Sequence, residues 1–409
     1  MHKLGFYLQR SDDLDGQLFD AVRQVQPPVL LVHTDQLNDQ LLHLNRRGGG
    51  PNAFVIGRHY KTIQEEERLL SEGDHAQNGW AYGEEIVQRN FAQAKLRGDN
   101  GRLLIDAWMS LNEIIPGPAS QNFADDPAPL LERMAAYDAF QEAFRRRLQE
   151  DGIEAVAFNF AAGNYTQPEH YLEHFPKTLG AYTYLGFHEY GWHHLDPDHH
   201  DALHGQARSG AGIYRRIMAG IRNVYGDRHK VIVSEAGMTR EYKHHHGFVR
   251  DGRDEHLGDL GWLCFTEQPP LSEDEYFAAL RWYNDLLVQD DYVLGCCLYQ
   301  VGHTRRFEAH RHIGRDNQGN PLRLMQRIRA LNEVAPAPAV GVAQAMAAAP
   351  TAGAAAAGKP PVRVVGGRFS QGDQPLPRFA GVNLPSLLHL ADAQHPDLSV
   401  EQYRIMPEL

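Results

Sequence analysis

Two glutamates stand where apolar runs give out. Glu113 closes LLIDAWMSLNE (103–113), just ahead of the break at Pro116–Gly117, and Glu235 ends the apolar stretch of KVIVSEAGMT (230–239). An ionised carboxylate in a buried position is costly, so such a group is usually paired, protonated or used. Two of them facing one cleft divide acid and base work when their surroundings push their pKa values apart. Glycosidic-bond cleavage uses such a pair, with carboxyls roughly 5–5.5 Å apart for retention and wider for inversion. The bland alternative is a pair of loop salt bridges.

The elements that must position these groups follow a regular alternation. Short apolar runs recur at 4–9, 29–34, 53–60, 103–113, 155–164, 184–192, 230–239 and 293–302. Most are continuously hydrophobic, as parallel strands covered on both faces are. Between them lie segments of helical period at 18–25, 82–98, 130–152, 211–226, 272–289 and 320–334. Gly152 is placed to end one helix, and Ser272 with Glu275 has capping-box spacing. The pattern predicts an α/β chain whose residues 1–335 form a (β/α)8 TIM barrel. A doubly wound sheet would also alternate, but it usually has fewer strands and a glycine-rich first turn.

In such a barrel the site lies at the C-terminal strand ends. Those ends carry Gln9 and Arg10, His33 and Asp35, Arg58, His59 and Tyr60, and then Asn112 and Glu113. Asn159 and Asn164, His188, Glu189 and Tyr190, Ser234 and Glu235, and Tyr299 and Gln300 complete the set. Nearly every strand thus ends in a hydrogen-bonding side chain, the lining expected of a cleft for a hydroxyl-rich ligand. By strand alternation His188 and Glu189 cannot both face the axis.

Asn112–Glu113 on the fourth strand and Glu235 on the seventh resemble the clan A glycoside hydrolases, the 4/7 superfamily of retaining (β/α)8 enzymes. The resemblance covers 1–335. It implies that Glu113 is the acid/base and Glu235 the nucleophile of a double displacement at an O-glycosidic bond. It further implies that Asn112 binds the 2-hydroxyl of the sugar, that His188 or Tyr190 touches the nucleophile, and that Arg58 pairs with Glu235. The sequence departs from the clan in two places: Tyr299 stands where a Trp platform is common on the last strand, and Arg58 falls on the third strand rather than the second.

His59, Asn159 and Trp192 join the expected substrate contacts, with Trp80, Tyr82 and Trp262 as further stacking candidates; Trp262 reads equally well as core. Histidine clusters at 191–204 and 242–248 match no compact zinc spacing, and neither metal nor cofactor is expected. Two rivals remain. A metal-dependent barrel hydrolase would use His33 and His59 and an Asp ending the last strand, which the run lacks. A catalytically silent carbohydrate-binding barrel would not need both glutamates.

Composition narrows the partners. A formal net charge of -12, from 40 Lys and Arg against 52 Asp and Glu, argues against nucleic acid. No apolar run is long enough to span a membrane, and the resemblance implies an oligo- or polysaccharide as the partner. The N-terminus lacks a secretory pattern, and Cys264, Cys296 and Cys297 make no disulfide framework, which predicts a cytoplasmic protein with buried thiols. Residues 336–361, rich in Ala and Pro, read as a linker. Residues 362–409 return to strand signals, with a turn at 371–373 and a strand at 379–382. They read as part of a second module or as a tail, so further modules of the same polypeptide are expected partners.

Overall fold

The computed structural model describes residues 2–8, 15–33, 53–89, 94–117, 127–191, 211–238, 261–263, 272–301, 309–316 and 318–332, and the short stretches 362–365, 368–371 and 374–375. The first of two compact units, Met1–Pro336, holds the barrel. Its strands are β1 (Leu4–Leu8), β2 (Val29–His33), β3 (Phe54–Arg58), β4 (Ala107–Met109), β5 (Glu154–Ala161), β6 (Tyr184–Gly191), β7 (Lys230–Met238) and β8 (Val293–Val301). They pair in sequence order, every pair parallel, and β8 closes on β1. The helices are α1 (Asp15–Val25), α2 (Ile63–Ser71), α3 (His75–Arg89), α4 (Ala128–Glu150), α5 (Pro168–His174), α6 (Pro176–Ala181), α7 (Ile213–Tyr225), α8 (Glu273–Val288) and α9 (Leu324–Ala330). The architecture is the expected (β/α)8 barrel.

Side-chain alternation divides the core in two. Tyr7, Val29, Leu31, Ile56, Met109, Val156, Ile232 and Cys297 cluster inside the barrel. Their strand neighbours, Phe6, Leu30, Val55, Trp108, Ala155, Val233 and Cys296 among them, join the larger cluster between sheet and helices. The adjacent cysteines thus point opposite ways; both are free and buried, and burial pushes the Cys296 thiol up to about 12. Cys264 lies outside the described residues.

β4 is shorter than the apolar run predicts. Leu103 bridges antiparallel to Arg97, and the Leu104 amide bonds to Leu96. Those residues are therefore engaged off the sheet, and only Ala107–Met109 pair within it. At the start of β4 the Asp106 carboxylate accepts the Val55 amide at 2.8 Å. Helix ends follow the local chemistry. Ser272 and Glu275 form the expected capping box on α8, and Thr62 with Glu65 forms another on α2. Gly152, at φ +70, ends α4, its amide bonding to Gln149 and that of Ile153 to Leu148.

The second unit, Ala337–Leu409, holds β9 (Val362–Val365), β10 (Arg368–Gln371) and β11 (Gln374–Pro375), antiparallel with β10 in the middle. The expected linker at 336–361 and strand at 379–382 lie outside the described residues. Among the described residues no helix is long and apolar enough to cross a membrane.

Glu189 faces out of β6 and ties the strand to two helices. It accepts the Gly212 and Tyr214 amides at 2.7 and 2.8 Å, at the N-terminus of α7, and the Tyr283 hydroxyl of α8 at 2.6 Å. Burial raises its pKa to about 7 despite these hydrogen bonds, which favour the ionised form. The unfolded chain ionises first, near the ordinary 4.5, so this group makes stability fall as pH rises from there to about 7. Glu189→Gln removes the titration. The unfolding free energy of wild type minus variant, from urea titrations, should decline by up to about 1.4 kcal/mol per pH unit across that window. A flat difference would show that Glu189 does not titrate there.

Candidate active site

The chain leaves β4 at Met109 and reaches Glu113 four residues later. Ser110 accepts a hydrogen bond from Gln141 Nε2 at 2.7 Å. The Asn112 amide donates to Glu66 Oε2 at 3.0 Å, and the Glu113 amide donates to the Asn159 carbonyl at 3.1 Å. Glu113 itself has φ +50, a left-handed backbone that costs a non-glycine residue about 1–3 kcal/mol and persists only where surrounding bonds enforce it.

Two bulges shape the opposite wall. On β5 the pairing with β6 skips Asn159, and on β7 it skips Ser234. The two skipped residues meet: Ser234 Oγ donates to Asn159 Oδ1 at 2.8 Å, and Asn159 Nδ2 donates to the Val156 carbonyl at 3.3 Å. They meet beside Gly186 of β6, where an added Cβ would lie 2.2 Å from Asn159 Oδ1, so only glycine leaves room. The bulge on β7 also re-aims the strand. Ile232 faces the interior, so strict alternation would turn Glu235 outward; with Ser234 as the extra residue, Glu235 turns into the site.

β6 keeps regular alternation and presents His188 and Tyr190 to the same side. His188 Nδ1 lies 2.7 Å from Glu113 Oε1 and 3.6 Å from Glu235 Oε2. The Tyr190 hydroxyl donates to Glu235 Oε2 at 2.8 Å, while Arg58 NH1 stands 3.6 Å from Oε1. Arg58 also donates to the Tyr7 hydroxyl at 3.0 Å, and that hydroxyl contacts His33 Nε2 at 2.5 Å. Burial, with Arg58 nearby, pushes the His33 pKa down to about 3, and burial raises that of Tyr7. A neutral imidazole and an un-ionised phenol require Tyr7 to give its proton to His33 and to accept from Arg58.

The two carboxylates differ in access: the Glu113 side chain is 44% exposed and that of Glu235 only 9%. Burial acts to raise the Glu113 pKa, but the His188 charge, its hydrogen bond and Arg58 outweigh it and hold the carboxyl below its ordinary value. For His188 burial acts downward, while Glu235 and Glu113 pull it above its ordinary value. The imidazole stands between two carboxylates that favour its charged form.

Several expected contacts lie elsewhere. Asn159 is buried with both ends of its amide bonded, so it holds the backbone of Glu113 rather than facing a ligand. His59 turns to Glu85 at 3.3 Å. Tyr82 is buried with its hydroxyl on the His59 carbonyl; Trp80 stacks under Arg146 and Arg147; Trp262 is core, stacked on Tyr276 at 4.3 Å. Tyr299 stands beside Tyr7 and Tyr190, ring centroids 5.1 and 6.1 Å away. Trp192, Gln9, Arg10, Asp35 and both histidine clusters lie outside the described residues. Among the described residues no group of three or more His, Cys, Asp or Glu is arranged to hold a metal ion.

Two residues of the site escaped the sequence reading. Tyr7 carries a polar tip within an otherwise apolar run, on the inward phase of β1. Glu66 sits in an acidic triplet that resembles a solvated face, yet it shares the helical phase of buried Leu70. A charge on the apolar phase of a helix was the available signal.

No protein-family model matches the sequence, and no curated protein does. Solved structures similar to the chain include glycoside hydrolases. A Bacteroides uniformis β-glucuronidase is 12% identical with a TM-score of 0.47, over 81% of this chain and 35% of that one. An Eisenbergiella tayi β-galacturonidase bound to galacturonate is 11% identical with a TM-score of 0.47, over 82% and 51%. An Amycolatopsis mediterranei endo-β-1,3-glucanase in complex with laminaritriose is 13% identical with a TM-score of 0.41, over 81% and 99%. The chain thus spans about a third of the length of the glucuronidase.

The His188–Glu113 contact sets a titration. Stability from the raised His188 pKa is present in full below the ordinary 6.5 and is lost as pH climbs through the folded value. Glu113→Gln should move the His188 pKa down, read from its ring resonances by NMR. An unmoved pKa would show that Glu113 is not the partner.

Proposed function

We propose that this chain is a retaining glycoside hydrolase of the clan A type, with Glu113 as acid/base and Glu235 as nucleophile, acting on an oligo- or polysaccharide. One observation carries the reading: both carboxylates lie against a single nitrogen of His188. Their nearest oxygens are separated by no more than the sum of 2.7 and 3.6 Å. Two carboxyls brought this close to one nitrogen favour the roughly 5–5.5 Å separation of carboxyl groups in retaining enzymes over the wider, roughly 6.5–9.5 Å separation of inverting ones.

The electrostatics give each group a task. Glu113 and His188 together hold one proton, which rests on the imidazole while the cleft is empty. With a glycosidic oxygen against the open Glu113 side chain, the proton passes through Glu113 to the departing oxygen. Glu235 attacks the anomeric carbon as that bond breaks, forming a glycosyl ester. Tyr190 on one Glu235 oxygen and Arg58 near the other orient the carboxylate for the attack. In the second step the Glu113–His188 pair takes a proton from water, the hydroxyl attacks the anomeric carbon, and Glu235 departs as a carboxylate. By the same resemblance Asn112, next to Glu113, takes the 2-hydroxyl of the sugar, and Tyr299 serves for stacking in place of a Trp platform.

Aryl glycosides and polysaccharides test the roles. Glu113→Ala should lower kcat by about 10²–10⁴ on substrates with poor leaving groups, and much less on activated ones. Glu235→Ala should lose turnover, and azide should then yield a glycosyl azide of inverted configuration. Full activity in either variant, or an inverted product from wild type, would sink the reading.

A further inference from the structure

Glu66 differs from its neighbours on α2. Glu65 belongs to the exposed capping box with Thr62, and Glu67 pairs with Arg133 at 2.9 Å at the surface. Glu66 is 3% exposed and accepts the Asn112 amide. The turn bearing Glu113 is therefore held by two consecutive amides, one bonded to a carbonyl of β5 and one to this single side chain. Only the second is supplied by a replaceable group.

Burial raises the Glu66 pKa to about 7, against the Asn112 amide, Arg58 of β3 and Lys61 just before α2, with Glu65 acting upward. Either protonation state leaves an acceptor oxygen for Asn112, so the turn does not depend on the charge of Glu66. An unpaired buried amide, by contrast, carries its full desolvation penalty. Releasing the Asn112 amide removes one hold on the left-handed backbone of Glu113 and leaves its own amide on Asn159 and its carboxylate on His188 to keep the turn.

We infer that Glu66 is a positioning residue for the reaction proposed above: by holding the Asn112 amide from α2, it keeps Glu113 in the turn that aims its carboxylate at His188 and the cleft. Reach, not charge, is what the role requires. The inference rests on the acid/base assignment of Glu113.

Three variants test it, with kinetics on an aryl glycoside and amide NMR on the same samples. Glu66→Gln keeps the length and an acceptor oxygen, and should keep kcat within about threefold. Glu66→Asp keeps the charge but is one methylene short, and should lose about tenfold or more in kcat with KM within about twofold, the scale of one lost hydrogen bond. Glu66→Leu should lose at least as much; if it does not fold, the Gln and Asp variants decide. A charge role would reverse the order of Gln and Asp, and that order, or a change confined to KM, overturns the inference. The Asn112 amide proton should shift and lose exchange protection in Glu66→Asp but not in Glu66→Gln. An unmoved amide in Glu66→Asp overturns the inference whatever the kinetics. If wild type hydrolyses no glycoside, the acid/base assignment falls with the proposed function, while the amide still reports whether Glu66 holds the turn.

Discussion

A charge carried into an apolar interior must meet an opposite charge or disappear by protonation. The mouth of this barrel holds two carboxylates, Glu113 and Glu235, above a floor of Ile56, Met109, Val156, Ile232 and Cys297. His188, drawn above its ordinary pKa by both, and Arg58, held charged beside Glu235 against its own burial, supply the opposing charge. The balance is local, since a second imidazole nearby, His33, is held neutral by burial and by the Arg58 charge. Moving any one of the four groups would disturb the charge balance of the others, so their placements constrain one another.

The backbone meets that constraint by departing from regular geometry in a few places. Glu113, Phe158 and Asn159 all adopt positive φ. Asn159 and Ser234 are the extra residues of two bulges on either side of β6, and they bond to each other beside Gly186. The bulge on β7 reverses the alternation beyond Val233 and turns Glu235 inward. The bulge on β5 offers its carbonyl to the Glu113 amide. One pair of distortions thus reaches both carboxylates, and β6 between them stays regular and presents His188 and Tyr190 together.

Much of this was legible in order along the chain. Continuous apolar runs alternating with helical periods point to a parallel barrel, because a strand covered on both faces has no polar phase. Glu113, Glu235, His188, Tyr190 and Arg58 stand out because a hydrogen-bonding residue at the end of such a run has no packing reason to be there. Asn159 and His59 stand out for the same reason, yet they turn to internal partners. The run tells that a polar group is near the strand end but not which neighbour it meets. Tyr7 and Glu66 were obscured by their settings, one inside an apolar run and the other inside an acidic triplet.

The sequence alone determined the periodicities, and through them the class of fold, the strand ordinals of the two glutamates and the side of the barrel on which they emerge. Those properties depend on short-range order, where side-chain direction repeats every two or 3.6 residues. Tertiary structure decided the rest: that β4 shrinks to three residues, that Glu235 faces inward against strict alternation, and that His188 stands between the carboxylates while Glu189 faces α7 and α8. Each of these depends on hydrogen bonds between residues far apart in the chain, such as Ser234 with Asn159 and Glu66 with Asn112. A pattern of local spacings carries no record of such partners.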